Sequence, residues 1–159
     1  IKKENMSSQF MNRAIELSIK SVNSGTGPFG AVIVKDNKII SEGFNIVTLA
    51  NDPTSHAEIV AIRNACKSLN NFSLKGSDLY TTCEPCPMCL SAIYWARVDN
   101  VYYANTRSDA QKIDFDDSLI FEELKKNIKE RKIPMHQMMR DEALKAFEMW
   151  DKKIDKIKY

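Results

Sequence analysis

The chain reads as an α/β domain: a layered sheet whose strands are joined by crossover helices. Three observations carry that reading. Beyond residue 55 the signals alternate helix, strand, helix, strand, the pattern of crossover connections. Before it, two apolar, β-branched runs flank Asp36-Asn37, as in a hairpin. The length, 159 residues with 43% hydrophobic and 28% charged content, suits one ordinary globular domain over 1–159. No internal repeat, low-complexity tract or Pro/Ser-rich linker divides it.

Taken in order, Phe10, Ala14, Leu17 and Val22 sit near helical spacing, so an amphipathic helix over about 6–23 opens the chain. Gly25-Thr26-Gly27-Pro28 ends it. Ala31, Val32, Ile33 and Val34 mark a buried strand over 30–35, and 38–45 returns as the second arm of the hairpin. Asn51-Asp52-Pro53-Thr54 is a loop with a helix cap. The helix it starts runs over about 55–69, with Ile59, Ile62 and Cys66 on one face. A short strand follows at 79–82. Next comes a helix at 86–96, with proline at its start where a missing N–H costs little, and then a strand at 98–104. Residues 109–117 read as a loop or short helix, and further helices are expected over 119–126 and 142–157.

A net charge of +2 makes no strong electrostatic case for a nucleic acid or a membrane surface. The lysines of the last third, Lys125, Lys126, Lys129, Lys132, Lys152, Lys153, Lys156 and Lys158, alternate with acids and read as a solvated helix face. No apolar run approaches the ~18 residues of a membrane span, and the N-terminus carries no signal-peptide pattern. Three of the four cysteines are Cys83, Cys86 and Cys89. So tight a cluster suits metal chemistry in a reducing compartment better than a disulfide framework, and the expected location is cytoplasmic. Cys66 reads as a small buried hydrophobe.

The chemistry is concentrated in His56-Ala57-Glu58 and Pro85-Cys86-Pro87-Met88-Cys89. Together they offer one imidazole, two thiolates and a spare carboxylate. Three protein ligands on a tetrahedral zinc leave one position open, which separates a catalytic site from a structural one. Cys86 and Cys89 are three apart in the first turn of their helix, so their sulfurs share a face. There the unpaired N–H groups and the positive end of the dipole favour thiolate. His56 and Glu58 are two apart and do not share a regular helix face, so His56 is expected at the very start of its helix with Glu58 in the first turn. Cys83 is expected beside the site and not as a ligand. The bland alternative is a closed structural site of Cys83, Cys86, Cys89 and His56, which has no use for Glu58. An iron–sulfur cluster is a further alternative, but the C-x2-C-x2-C run lacks the additional cysteine that cluster wants.

Along nearly its whole length the chain resembles the cytidine deaminase superfamily, and within it the bacterial guanine deaminases. H-x-E followed by P-C-x-x-C is the known signature of zinc nucleobase deaminases. The resemblance is carried by Gly27-Pro28-Phe29-Gly30-Ala31-Val32-Ile33-Val34, Asn51-Asp52-Pro53-Thr54-Ser55-His56-Ala57-Glu58, Cys83-Glu84-Pro85-Cys86-Pro87-Met88-Cys89, Ala92-Ile93-Tyr94-Trp95-Ala96-Arg97 and Phe115-Asp116-Asp117. The first three are shared widely among purine and pyrimidine deaminases; the last two are more particular. Transfer RNA adenosine deaminases resemble the zinc motifs but usually carry a glycine- and alanine-rich stretch where Phe115-Asp116-Asp117 stands.

The resemblance implies a three-layer α/β/α sandwich around a mixed five-stranded sheet. It implies one Zn2+ per subunit on His56, Cys86 and Cys89, with Glu58 as the catalytic proton shuttle. It implies hydrolysis of guanine to xanthine and ammonia, in purine metabolism. Asn45 and Asp117 would hydrogen-bond the purine, with Phe29, Trp95 and Tyr159 as apolar or aromatic walls. It further implies a homodimer with exchanged C-terminal segments, so that Tyr159 closes a neighbouring subunit's site. From the residues alone, Phe29 and Trp95 also fit core positions, Asn45 a turn, Asp117 a helix cap before Ser118-Leu119, and Tyr159 an exposed chain end. Guanosine, cytosine or transfer RNA adenosine are alternative substrates, and a non-catalytic zinc module is the alternative outside enzymes. The near-neutral charge argues against the RNA version.

Overall fold

The structure, a computed structural model, describes residues 2–159, with side chains from Ser7 onward. It falls into two compact units, Ile1–Asp117 and Ser118–Tyr159. In the first, helix α1 (Lys2–Asn23) leads into the hairpin β1 (Gly30–Lys35) and β2 (Lys38–Phe44). The short α2 (Val47–Ala50), α3 (Ala57–Leu69), β3 (Ser77–Cys83), α4 (Pro87–Ala96), β4 (Asn100–Asn105) and α5 (Arg107–Gln111) follow. Asp36 and Asn37 both take positive φ, 50° and 59°, the geometry of a two-residue turn whose twist matches that of its strands.

The strands lie in the order β2-β1-β3-β4. β1 runs antiparallel to both β2 and β3, and β3 is parallel to β4 across the α4 crossover, so the sheet is mixed. It has four strands, where five were expected. Among the described residues, the chain after β4 enters α5, then α6 (Ser118–Lys125), a 3-10 turn (Ile128–Glu130) and α7 (Arg140–Lys152), and adds no further strand.

The period of two along the strands sorts the core into two layers. Val32, Val34 and Tyr80 pack with Leu17 of α1, and with Phe10 and Met11 at their margin. Ala31, Ile33 and Leu79 point the other way, onto Ala57, Ala61 and Ala65 of α3 and Ile93 and Ala96 of α4. The result is helix, sheet, helix. On α1 the buried positions are Ala14, Leu17 and Ser21, while Val22, expected inside, is exposed. Ser21 takes its place because its hydroxyl is satisfied by the carbonyls of Gly27 and Asn45. Cys66 is half-buried against the α3 layer, not fully buried as expected.

Gly43 sets how closely α3 approaches the sheet. A Cβ there would run into the carbonyl of Ala57 and the amide of Ala61. Gly43→Ala is therefore expected to push α3 outward at its first turns and cost roughly 1–3 kcal/mol, as overpacking does. A denaturation midpoint equal to that of the unaltered chain would refute this.

In the second unit, α6 and α7 have no buried residue. Lys125–Glu122, Lys126–Glu123, Lys153–Asp155 and Lys156–Asp151 are paired, as a solvated charged face should be. α7 begins at Arg140 and stops at Lys152, five residues short of the expected end at 157. No helix among the described residues is long and apolar enough to cross a membrane.

Candidate active site

Two helix N-termini meet beyond the ends of the strands. His56 is the N-cap of α3 and Cys86 the N-cap of α4, both in extended backbone conformation, and neither side chain caps its own helix. The two are turned toward each other instead. His56 Nδ1 lies 3.6 Å from the sulfur of Cys86 and 3.6 Å from that of Cys89. The donor atoms of all three residues fall within 4.8 Å of one another. The expected placing of His56 at the helix start and Glu58 in the first turn is what the structure has.

This donor set fits zinc. With Zn–N of about 2.05 Å and Zn–S of about 2.3 Å at the tetrahedral angle, the N···S edge is about 3.6 Å. Both observed N···S distances have that length. One imidazole and two thiols are the ligands a borderline-soft ion prefers over calcium or magnesium. Cys83 stands apart from the group, with its thiol donating to the carbonyl of Thr106 at 3.7 Å.

The local electrostatics match the arrangement. A hydrogen bond from Cys89 holds the Cys86 thiol down at about 4, against the effect of burial and with help from His56. Cys89 is pushed up by that same bond and by burial. The Cys86 contact raises His56, against its burial. Burial pushes the Cys83 thiol up to about 11, the behaviour of an inert structural thiol. Glu58 is 6% exposed, and its carboxyl is raised above the ordinary carboxylate range chiefly by desolvation. One of its oxygens accepts from the Thr81 hydroxyl at 3.1 Å, and the other faces the Cys89 sulfur at 3.4 Å. A buried carboxyl of raised pKa thus lies against a His/Cys/Cys group that could hold a metal ion.

The loop ahead of α3 is fixed by Asp52. Its carboxylate accepts from the Thr54 amide and hydroxyl, the Ser55 hydroxyl and Arg63. These bonds, the one from Ser55 first, hold Asp52 well below the usual carboxylate range.

The residues expected around a purine lie in several places. Asn45 is buried, and its backbone amide donates to the Phe29 carbonyl at 3.1 Å, which sets the two residues side by side. Ser21 and Thr26 both donate to the Asn45 carbonyl. Its side-chain oxygen accepts from the Val47 amide, which leaves the amide nitrogen as its donor. Phe29 meets Phe115 edge-to-face at 4.9 Å. Asp117 accepts from Arg107 at 3.2 Å, and the Arg107 backbone amide donates to Glu84 in the loop leading to Cys86. Trp95 is 65% exposed. α4 buries Cys89, Ile93 and Ala96 at helical spacing and turns Tyr94 and Trp95 outward, so Trp95 is not a core residue. Tyr159 belongs to the second unit and is exposed.

Residues 4–105 match the family model of the cytidine and deoxycytidylate deaminase zinc-binding region. The chain is 52% identical over 151 residues to a guanine deaminase of Bacillus subtilis, covering 94% of this chain and 97% of that one. The chain belongs to the guanine deaminase family. The crystal structure of the B. subtilis family member superposes with a TM-score of 0.92 over 96% of this chain and 98% of the other. A guanine deaminase from Nitrosomonas europaea is more distant, at TM-score 0.64 and 28% identity over 68% of this chain and 63% of that one. Beyond the guanine deaminases, a tRNA-specific adenosine deaminase of Buchnera aphidicola is 37% identical over 90% of this chain and 92% of its own. The zinc-binding family, the 3.6 Å edges and the His/Cys/Cys donor set agree on zinc as the cofactor.

Proposed function

We propose that this chain removes the exocyclic amine of guanine by hydrolysis, giving xanthine and ammonia. The observation that carries the reading is the buried Glu58 carboxyl, set against a triad with the edge lengths of tetrahedral zinc. Zinc held by His56, Cys86 and Cys89 supplies Lewis acidity that lowers the pKa of water from about 15.7 to about 7. Glu58 takes a proton from the attacking water as its oxygen bonds to C2, and delivers that proton to N3. It then carries the second water proton to the leaving amine as the C2–N bond breaks, and ammonia departs. Each proton leaves the carboxyl as it found it, so one residue serves both steps.

Asn45 and Asp117 orient the base. The Val47 amide occupies the Asn45 side-chain oxygen, so Asn45 presents an N–H to a purine acceptor. Asp117 presents a carboxylate to the N–H edge of guanine, with Arg107 keeping it in place. Adenine offers a different pattern there, and a mismatched partner leaves buried polar groups unpaired, which discriminates strongly. Phe29 supplies an apolar wall, joined by Trp95 and by Tyr159. Ammonia release over guanine, guanosine, adenine and cytosine tests the substrate. Guanine alone is expected to react, and turnover of guanosine without guanine would overturn the choice.

The functional form is a cytoplasmic homodimer in which the C-terminal segments are exchanged and Tyr159 closes the neighbouring site. Support comes from the apolar side chains the second unit exposes, among them Phe147, Met149 and Trp150, and from exposed Tyr94, Trp95 and Tyr103 on the first unit. The close spacing of Cys83, Cys86 and Cys89 suits metal ligation in a reducing compartment better than a disulfide framework. Deleting residues 154–159 is expected to cut kcat/KM for guanine at least tenfold, on the order of one transition-state contact, with zinc content unchanged. Unaltered kinetics would reject a closing role for the tail.

A further inference from the structure

We propose that Thr81 is a positioning residue for Glu58: its hydroxyl fixes one carboxylate oxygen so that the other oxygen alone moves protons. The inference deepens the deaminase reading above and rests on it. Thr81 lies in β3, locked on both sides by the ladder, opposite Ala31 of β1 and Tyr103 of β4. It shares a face with Leu79, the face that meets α3, and is 1% exposed. Its hydroxyl donates to Glu58 Oε1 at 3.1 Å, while Oε2 faces the Cys89 sulfur at 3.4 Å.

The two contacts are not equivalent. The Cys89 contact needs a thiol proton, and a cysteine that ligates zinc is a thiolate with none to give. Of these two side-chain donors, Thr81 is the one that survives in the loaded site. A shuttle has to meet two proton acceptors in turn without drifting from either. Anchoring Oε1 to a rigid strand leaves Oε2 at a fixed point on the triad side. A carboxylate released from that anchor still fits its pocket but reaches the reacting atoms less often, which lowers rate more than binding. A threonine that merely satisfies its own hydroxyl in the core would have no such consequence.

Thr81→Val and Thr81→Ser test this in the full-length zinc enzyme. Valine keeps the branched shape that the strand packs and removes the donor. Its kcat for ammonia release from guanine is expected to fall roughly 10- to 100-fold, the scale of a small misplacement, with KM and zinc content nearly unchanged. Serine restores the donor and should restore most of kcat. A second readout needs no zinc and no turnover. In the metal-free protein, Thr81→Val is expected to lower the denaturation midpoint when Glu58 is present and not when it is Glu58→Ala. The proposal is overturned by an undiminished kcat in the valine variant, by equal losses in valine and serine, or by the same midpoint drop in both backgrounds. If the unaltered enzyme releases no ammonia from guanine, the deaminase reading fails by itself, and the metal-free cycle still decides whether Thr81 holds Glu58.

Discussion

Glu58→Gln is expected to keep its zinc and lose nearly all turnover of guanine. The amide is isosteric, can still accept from Thr81, and stands outside the His56, Cys86 and Cys89 triad, so the metal has no reason to leave. What the amide cannot do is take a proton from water and pass it on. Proton transfer by one positioned group contributes about 10²–10⁴-fold. In the proposed mechanism Glu58 acts in both the addition of water and the departure of ammonia, so the upper part of that range is the expected loss in kcat. Metal analysis alongside steady-state ammonia release checks both halves, and substantial residual turnover at full zinc occupancy would place the shuttle elsewhere. The same variant makes a separate prediction for the metal-free protein. Burial raises the Glu58 carboxyl above its ordinary value of 4.5 in the folded state. The folded protein thus binds that proton more tightly than the unfolded one. The stability it contributes is present below 4.5 and is lost as pH rises through the raised folded value. At neutral pH the metal-free Gln variant is therefore expected to melt higher than the metal-free parent, and the advantage should vanish in acid. Activity and stability pull in opposite directions at this residue, as at many buried catalytic acids.

Much of this was legible in the residues, for reasons that differ by element. The hairpin was readable because Asp36-Asn37 is a pair that tolerates two successive left-handed residues, and both adopt them. The triad was readable because cap positions have their own chemistry: Pro87 marks the first turn of α4, and the two-residue gap between His56 and Glu58 only works across a helix start. Neither His56 nor Cys86 caps its helix, a local rule broken where the two side chains turn toward each other. Trp95 was ambiguous because a tryptophan at helical spacing fits a core or a wall equally; only the observed buried face of α4, through Cys89, Ile93 and Ala96, turns it outward. The parts played by Thr81 and Arg107 leave no signal in the sequence. A threonine in a strand reads as β-propensity, and its meaning depends on the parity that pairs it with Glu58, 23 positions away. Arg107 likewise gains a role only through Asp117 and Glu84, brought together by the turn after β4. The fifth strand was implied by resemblance alone, and no alternating apolar pattern in the last third supported it.

The second large effect is expected from His56→Ala, which should lose both zinc and activity. Removing one of three ligands goes beyond disturbing a supporting partner, and even such partners cost about 10–100-fold in affinity. Cys86 and Cys89 remain three apart in one turn of α4, a two-point attachment with nothing from α3 to complete it. Stability makes the loss visible without an activity assay. A ligand that binds only the folded state stabilises it by about 4 kcal/mol when its free concentration is 1,000 times Kd. A chelator should therefore lower the melting temperature of the parent protein and leave that of the variant unmoved. Full zinc occupancy in the variant would mean that another donor had moved in. Cys83 is the thiol best placed in sequence to do so, three residues before Cys86, but its proton is given to the Thr106 carbonyl at 3.7 Å. Burial also holds its pKa up at about 11, where a thiolate is scarce. For Cys83 to ligate, that hydrogen bond and the end of β3 would both have to give way. Adding Cys83→Ser to His56→Ala thus separates the two outcomes. If zinc survives the single change and is lost in the double, the site can convert to three cysteines; if the single change already empties it, the imidazole at the start of α3 is the ligand that joins the two helix ends.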